Sequence, residues 1–451
     1  MKVAFDISIL GAEERTPENR TGIYKAIEAL LKHLLLLKKQ GLAEDLELMG
    51  FSSDFRQLET SQEVWQNLLN GMVGTEEKYP YLGKLLLSPV QKMALRLSDR
   101  KALRKLSKKP YLLESIAMWV FRPFFRQVSR QWSSVIAKHM PHGTIVHIPF
   151  TRDVDKFPPT SGLIRVVTCY DLTPILCEAR SKLNPKEKAK HEAMLNLMTP
   201  DDFVCCISNS AQQDLFAFRP DLKLENLVVT YLGADMERFS PVSDGLTLAN
   251  VRRNYNIPES APYLLTVGTL FYPHKNVAFA IRNFLEICDK QSIADDFVLV
   301  LCGGKRKFTA EVEALFLKHS AHRHRVIVTG YVADADLSAL YSGATGFVLP
   351  SLYEGFGLPV LEAMQCGTPV LCSNTASLPE VGGDAALYAS PTDGTEFQQQ
   401  IVTLLNNPEL RQQMVKKGFE QAKKFSWEQS AKDTLVVYRK AYESFLAGTP
   451  T

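Results

Sequence analysis

The feature that most restricts this chain is a repeated unit, a short apolar run that stops at a glycine, proline or polar loop and gives way to a helix-patterned stretch. In the second half the runs are Tyr263–Thr269, Phe297–Gly304, Val326–Val332 and Gly346–Pro350. In the first half they are Lys2–Leu10, Ile145–Ile148, Arg165–Pro174, Phe203–Ile207 and Leu227–Thr230. Near-continuous apolar runs of this kind suit strands buried on both faces, and intervening helices supply the crossovers of a parallel sheet. Arg238–Pro241 and the polar stretch to about Asn256 read as a linker. At 451 residues more than one core is expected. The sequence therefore predicts an α/β chain of two doubly wound domains, with ligands at the carboxyl ends of the strands.

The candidate for chemistry is Ser351-Leu-Tyr-Glu-Gly-Phe-Gly-Leu-Pro-Val-Leu-Glu362. Gly346–Pro350 ends before it as a strand, and Leu358–Gln365 follows as a helix, with Pro359 in its first turn and Gly367 past its end. Glu354 then lies in the loop and Glu362 on the helix. Were both helical, eight residues would separate them by roughly 12 Å, too far for the close carboxylate pair of a retaining glycosidase. Separate tasks follow. Gly355 and Gly357 permit positive φ and close approach, so the amides of Phe356, Gly357 and Leu358 are expected to face an anion at the positive end of the helix dipole. A plain strand–turn–helix link is the competing interpretation.

The spacing Glu354-X7-Glu362, followed by Ala363-Met-Gln-Cys-Gly-Thr-Pro-Val370 and Leu378-Pro-Glu-Val381, resembles the donor-binding signature of the retaining, nucleotide-sugar-dependent glycosyltransferases of family 4. That resemblance implies the GT-B fold: two facing Rossmann-like domains with a cleft between them and a C-terminal helix crossing back to the first. The implied division is 1–240 on the acceptor side, 241–425 for the nucleotide sugar, and 426–451 for the crossing helix. It also implies that Lys275 holds the diphosphate and that Glu354 contacts the donor sugar, these two being the catalytic candidates. Glu362 is implied to bind ribose, the 355–358 turn phosphate, and Gly330, Tyr331 and Val332 the nucleobase, with Gly303 and Gly304 beside it. In the first domain Thr21 and Gly22, with Arg20 more loosely, stand where relatives meet donor phosphates or acceptor. The competing reading there is a plain start to the Ile23–Leu37 helix.

Two departures matter. Relatives often carry His-Asp where this chain has Tyr170-Asp171, and a phenol with a reference pKa of about 10 cannot accept a proton near neutrality as imidazole does. Tyr170 and Asp171 stay candidates for the sugar or acceptor pocket, and His147 is expected in the core. A basic residue common after the first strand of the second domain is Thr269 here. These departures are the support for a rival reading, a catalytically degenerate GT-B protein that binds glycan or a protein partner.

Between residues 92 and 138 twelve Lys and Arg side chains face only Asp99 and Glu114, interleaved with Trp119, Phe121, Phe124, Phe125 and Trp132. The basic helical insert, about 55–140, suits an anionic membrane surface, a solvated helical face, or a groove for an anionic acceptor. No nucleic-acid motif accompanies it, and a formal net charge of +3 gives no general basic character. Asp153-Val-Asp155 and Asp334-Ala-Asp336 match Asp-X-Asp only loosely. Helix capping and first-turn acids account for the latter, so no metal is expected. The eight cysteines show no zinc spacing and sit in apolar runs, as reduced thiols do. With no secretory leader or eighteen-residue apolar span in the sequence, the expected location is the cytoplasm, peripheral to the inner membrane face if the insert binds there.

The activity so implied is transfer of a hexose from a GDP- or UDP-linked donor, with a lean to mannose, onto a hydroxyl of a glycan or glycolipid acceptor, without a cofactor. Oligomeric state is left open.

Overall fold

The structure is a computed structural model that describes residues 1–7, 22–51, 137–138, 140–159, 162–268, 272–303 and 308–448. Arg20, Thr21, Thr269, Gly304 and nearly all of the basic insert lie outside those residues.

Two six-stranded sheets, parallel throughout, form the frame. The first runs β2-β1-β3-β4-β5-β6 in space, from β1 (Lys2–Asp6), β2 (Glu47–Phe51), β3 (Thr144–Ile148), β4 (Leu163–Cys169), β5 (Phe203–Cys206) and β6 (Leu227–Val229). The second runs β12-β11-β10-β7-β8-β9, from β7 (Tyr263–Val267), β8 (Val298–Cys302), β9 (Val326–Gly330), β10 (Gly346–Leu349), β11 (Val370–Ser373) and β12 (Ala386–Ala389). Every residue of β3, β8, β10 and β11 is buried, which is why β3, β8 and β10 read as unbroken apolar runs. Register fixes the central pairs, Phe5 beside His147 in the first sheet and Phe347 beside Leu265 in the second.

The helix Gly22–Lys39 covers one face of the first sheet through Ile27, Leu31 and Leu34. The chain's final helix, Trp427–Gly448, joins that same core with Ala431, Leu435, Val437 and Tyr438. Tyr438 Oη lies 2.5 Å from His147 Nδ1, and Thr168 Oγ1 lies 2.8 Å from its Nε2. His147 is thus a core histidine, and burial lowers its pKa to about 3. On the other face, Arg165 and Asp202 form a buried bidentate pair whose remaining guanidinium donors reach the carbonyls of Phe157 and Leu197.

The stretch expected as a linker contains a ten-residue helix, Gly245–Asn254. Asp244 caps it by accepting from the amides of Leu246 and Thr247, and Arg252 fastens it by donating to the Ala261 carbonyl and lying 4.8 Å over the Tyr263 ring. Local polarity concealed it, because few of its side chains are buried. All eight cysteines are free and buried. Among the described residues, no helix is long and apolar enough to cross a membrane.

Candidate active site between the two sheets

In the second sheet the chain steps outward from β7 to β8 and β9, then returns to the centre at β10 and steps the other way. The crevice between the carboxyl ends of β7 and β10 is therefore a topological switch point. The segment after β7 contributes Lys275 and the segment after β10 contributes Glu354. Lys275 Nζ donates to Glu354 Oε1 at 2.7 Å, and Ser351 Oγ donates to the same oxygen at 2.6 Å. The two loops are tied by Leu352 N to His274 O at 2.7 Å. Asn276, held in the left-handed region with φ 55°, donates its side-chain amide to the carbonyls of Pro350 and Pro391, which fixes the turn that presents Lys275. Burial raises the Glu354 pKa, but the Lys275 charge and the two hydrogen bonds outweigh it and hold the carboxyl below its ordinary value.

The glycine turn behaves in part as expected. Gly357 takes φ 106° at the start of the Leu358–Gln365 helix, and the amides of Phe356, Gly357 and Leu358 make no hydrogen bond to another described residue. Gly355 does not have positive φ. Its lack of a side chain serves the first domain instead: a Cβ there would stand 2.4 Å from Tyr170 O and 2.7 Å from Asp171 Cβ. Ser208 Oγ, at the carboxyl end of β5, donates to Gly355 O at 2.7 Å. The Phe356 ring is buried against Tyr231 and Phe425, so only its backbone is free to meet a ligand.

Glu362 has separate partners, as its spacing requires. Tyr341 Oη donates to Glu362 Oε2 at 2.9 Å. Burial raises the Glu362 pKa, opposed by that hydrogen bond and by the charges of Lys25 and Arg238. Lys25 comes from the helix that Gly22 begins, and it reaches Asp334 of the second domain at 3.1 Å. Arg238 meets the same carboxylate at 2.7 Å. Asp336 accepts from Tyr255 Oη at 2.7 Å. Both acids lie in the first turn before the Leu337–Ser342 helix and Asp336 takes its N-cap position, as expected, but neither side chain makes a cap hydrogen bond; both carboxylates are held instead by partners distant in sequence.

At the ends of β7, β8 and β9, Gly268, Gly303 and Gly330 all have positive φ. Gly268 N donates to Cys302 O and Gly303 N to Gly330 O. A Cβ on Gly303 would meet Gly268 O at 2.3 Å, so this ledge requires bare backbone. Tyr331 beyond it is 46 % exposed, and Val332 is buried. Tyr170 is buried too, its phenol pushed above its ordinary range by desolvation, and Asp171 Oδ1 is occupied by the amide of Thr173.

Sequence reasoning assigned no role to Lys25, Arg238, His274 or Glu380. Glu380 accepts from the backbone amides of Asn209 and Ser210 and from Tyr231 Oη, bridging the domains at a helix start. Only Glu380 lay within a quoted motif.

Two Rossmann-like domains, loops meeting at the carboxyl ends of both sheets, and a last helix returning to the first define a GT-B glycosyltransferase. The chain belongs to the glycosyl transferases group 1 family. Residues 249–421 match the family's profile. The chain is 32 % identical over 301 residues to O-antigen chain mannosyltransferase B of Escherichia coli, covering 66 % of this chain and 73 % of that one. It is 28 % identical over 268 residues to the serotype-specific mannosyltransferase WbdA of Escherichia coli, covering 59 % of this chain but only 32 % of that longer protein. Among solved structures, sucrose-phosphate synthase from Thermosynechococcus elongatus superposes with a TM-score of 0.60 at 18 % identity, over 98 % of this chain and 99 % of that one.

Proposed function

We propose that this glycosyltransferase moves mannose from a nucleotide diphosphate donor, GDP-mannose first among candidates, to a hydroxyl of a glycan acceptor with retention of anomeric configuration. The observation that carries the proposal is the Lys275–Glu354 pair at the switch point, beside three amides that have no hydrogen-bond partner among the described residues. Breaking the sugar–phosphate bond leaves positive charge on the sugar and negative charge on the diphosphate. Lys275 and the 356–358 amides would hold the leaving phosphate, where one well-placed donor supplies about 3–4 kcal/mol in the transition state. Ionised Glu354, released from Lys275 as phosphate arrives, would face the electron-poor sugar. The bond from the anomeric carbon to the diphosphate breaks, the bond to the acceptor oxygen forms on the same face, and the acceptor proton passes to the departing phosphate. Glu362 would hold the ribose hydroxyls. This assignment asks no general base of Tyr170 and no step of a metal. The mannosyltransferase relatives support the choice of sugar, and the basic stretch 92–138 supports a lipid-linked acceptor at an anionic membrane surface.

A thermal-shift panel of nucleotide diphosphates and their sugars, with and without EDTA, tests it. A ligand at 100 times its dissociation constant adds about 2.7 kcal/mol of apparent stability. The expected result is a shift selective for GDP and GDP-mannose, insensitive to EDTA and lost in Glu362→Ala. A shift that persists in the variant, or none with any nucleotide, would refute the assignment.

A further inference from the structure

We propose that His274 is a contact for the donor sugar, its imidazole exchanging a hydrogen bond with a hydroxyl of the transferred hexose. The inference rests on the donor site described above and adds a residue that the spacing of the motifs does not mark.

His274 precedes Lys275 in the turn after β7, and its carbonyl is bonded to the Leu352 amide of the loop that carries Glu354. His274 is 7 % exposed, and its Nδ1 is buried without a hydrogen-bond partner among the described residues. Buried polar atoms are nearly always satisfied, so an unpartnered one beside the donor crevice calls for an explanation, and a bound ligand is the one proposed here. Orientation is restrained from one side: the Tyr272 ring stacks on the imidazole at 5.5 Å, and the Arg180 guanidinium of the first domain covers Tyr272 at 4.8 Å. The charged groups facing the ring are Lys275 and Glu354 of the second domain and Arg180 and Asp171 of the first. It therefore stands where the phosphate-side lysine, the sugar-side carboxylate and the first domain converge.

The ligand chemistry follows from the protonation state. Burial, with Lys275 next, lowers the pKa of His274 to about 4, so the ring is neutral at neutral pH. A neutral imidazole offers one donor and one acceptor. A sugar hydroxyl is both, whereas a phosphate would call for the adjacent ammonium.

Calorimetric titration of GDP and GDP-mannose, with UDP and UDP-glucose in parallel, into wild type, His274→Phe and His274→Asn tests the proposal. Phenylalanine keeps the stack on Tyr272 and removes the hydrogen bond. Asparagine places an amide nitrogen near the position of Nδ1. For whichever pair wild type binds, His274→Phe is expected to weaken the sugar nucleotide on the order of tenfold while the bare nucleotide stays within about twofold. His274→Asn is expected to recover part of the loss. Equal weakening of both ligands would assign His274 to holding the Lys275 turn and overturn the proposal. Wild-type affinity for both ligands in His274→Phe, or no recovery with asparagine, would overturn it as well. Failure of wild type to bind either pair would refute the underlying donor site and the proposal with it.

Discussion

Replacing Gly355 by alanine separates domain approach from nucleotide binding. The added Cβ would lie 2.4 Å from Tyr170 O, and ordinary contact begins at 3.4 Å, so the gap must open by about 1 Å (3.4 minus 2.4) at backbone, which cannot rotate aside as a side chain can. The Ser208–Gly355 hydrogen bond, now 2.7 Å, would stretch to about 3.7 Å by the same displacement, beyond useful length. Losing it costs about 1 kcal/mol. A misplacement of about 1 Å between reacting groups costs on the order of a hundredfold in rate. The groups assigned to the nucleotide are Glu362, the Gly330 ledge, Lys275 and the 356–358 amides; all belong to the second domain and should keep their geometry if the two domains part as rigid bodies. The expected outcome is kcat lower by on the order of a hundredfold, measured by nucleotide diphosphate release, with nucleotide Kd within about twofold of wild type. Turnover within twofold of wild type would show that closure at Gly355 is not part of the working state.

Asp202→Ala leaves the buried Arg165 guanidinium without its carboxylate, and urea unfolding should register a loss of about 3–5 kcal/mol; a loss below about 1 kcal/mol would refute the account. His147 has a pKa of about 3 in the folded chain against 6.5 in the reference state, so the unfolded chain takes up the proton first. Stability from this residue is complete above pH 6.5 and falls as pH drops toward 3, by about 3 kcal/mol at pH 4.5. Unfolding titrations at several pH values on wild type and His147→Gln should show a shallower acid slope in the variant; equal slopes would rule out the assigned role.

Most strands were legible because a parallel sheet covered on both faces leaves its burial in the sequence as unbroken apolar runs, β3 and β8 being clear cases, whereas β2, β11 and β12 were not picked out. The helix Leu358–Gln365 was legible to the residue because proline and glycine punctuate both ends. Partners were not. Lys25 and Asp334 are 309 positions apart, and Ser208 and Gly355 are 147 apart; no periodicity couples such positions. The same blindness hid the distant partners of Asp334 and Asp336. Gly355 was expected to permit positive φ and close approach to an anion; its φ is not positive, and the group that approaches it in the structure is the Tyr170 backbone. His274 carried no signal at all, since only folding reveals that one of its nitrogens is buried with no partner among the described residues.

The return of the Trp427–Gly448 helix also has a consequence for the order of manufacture. β6 ends at Val229, and Tyr438, which completes the core around His147, follows 209 residues later (438 minus 229). At about 5–20 residues per second, a ribosome needs roughly 10–40 s to cover that distance. The first half emerges early but must wait, with the faces of Leu31, Leu34 and Ile145 short of the side chains that cover them, until the second half has been made. The domain that begins first thus finishes last, and nascent chains stalled before residue 427 should engage chaperones through that uncovered face.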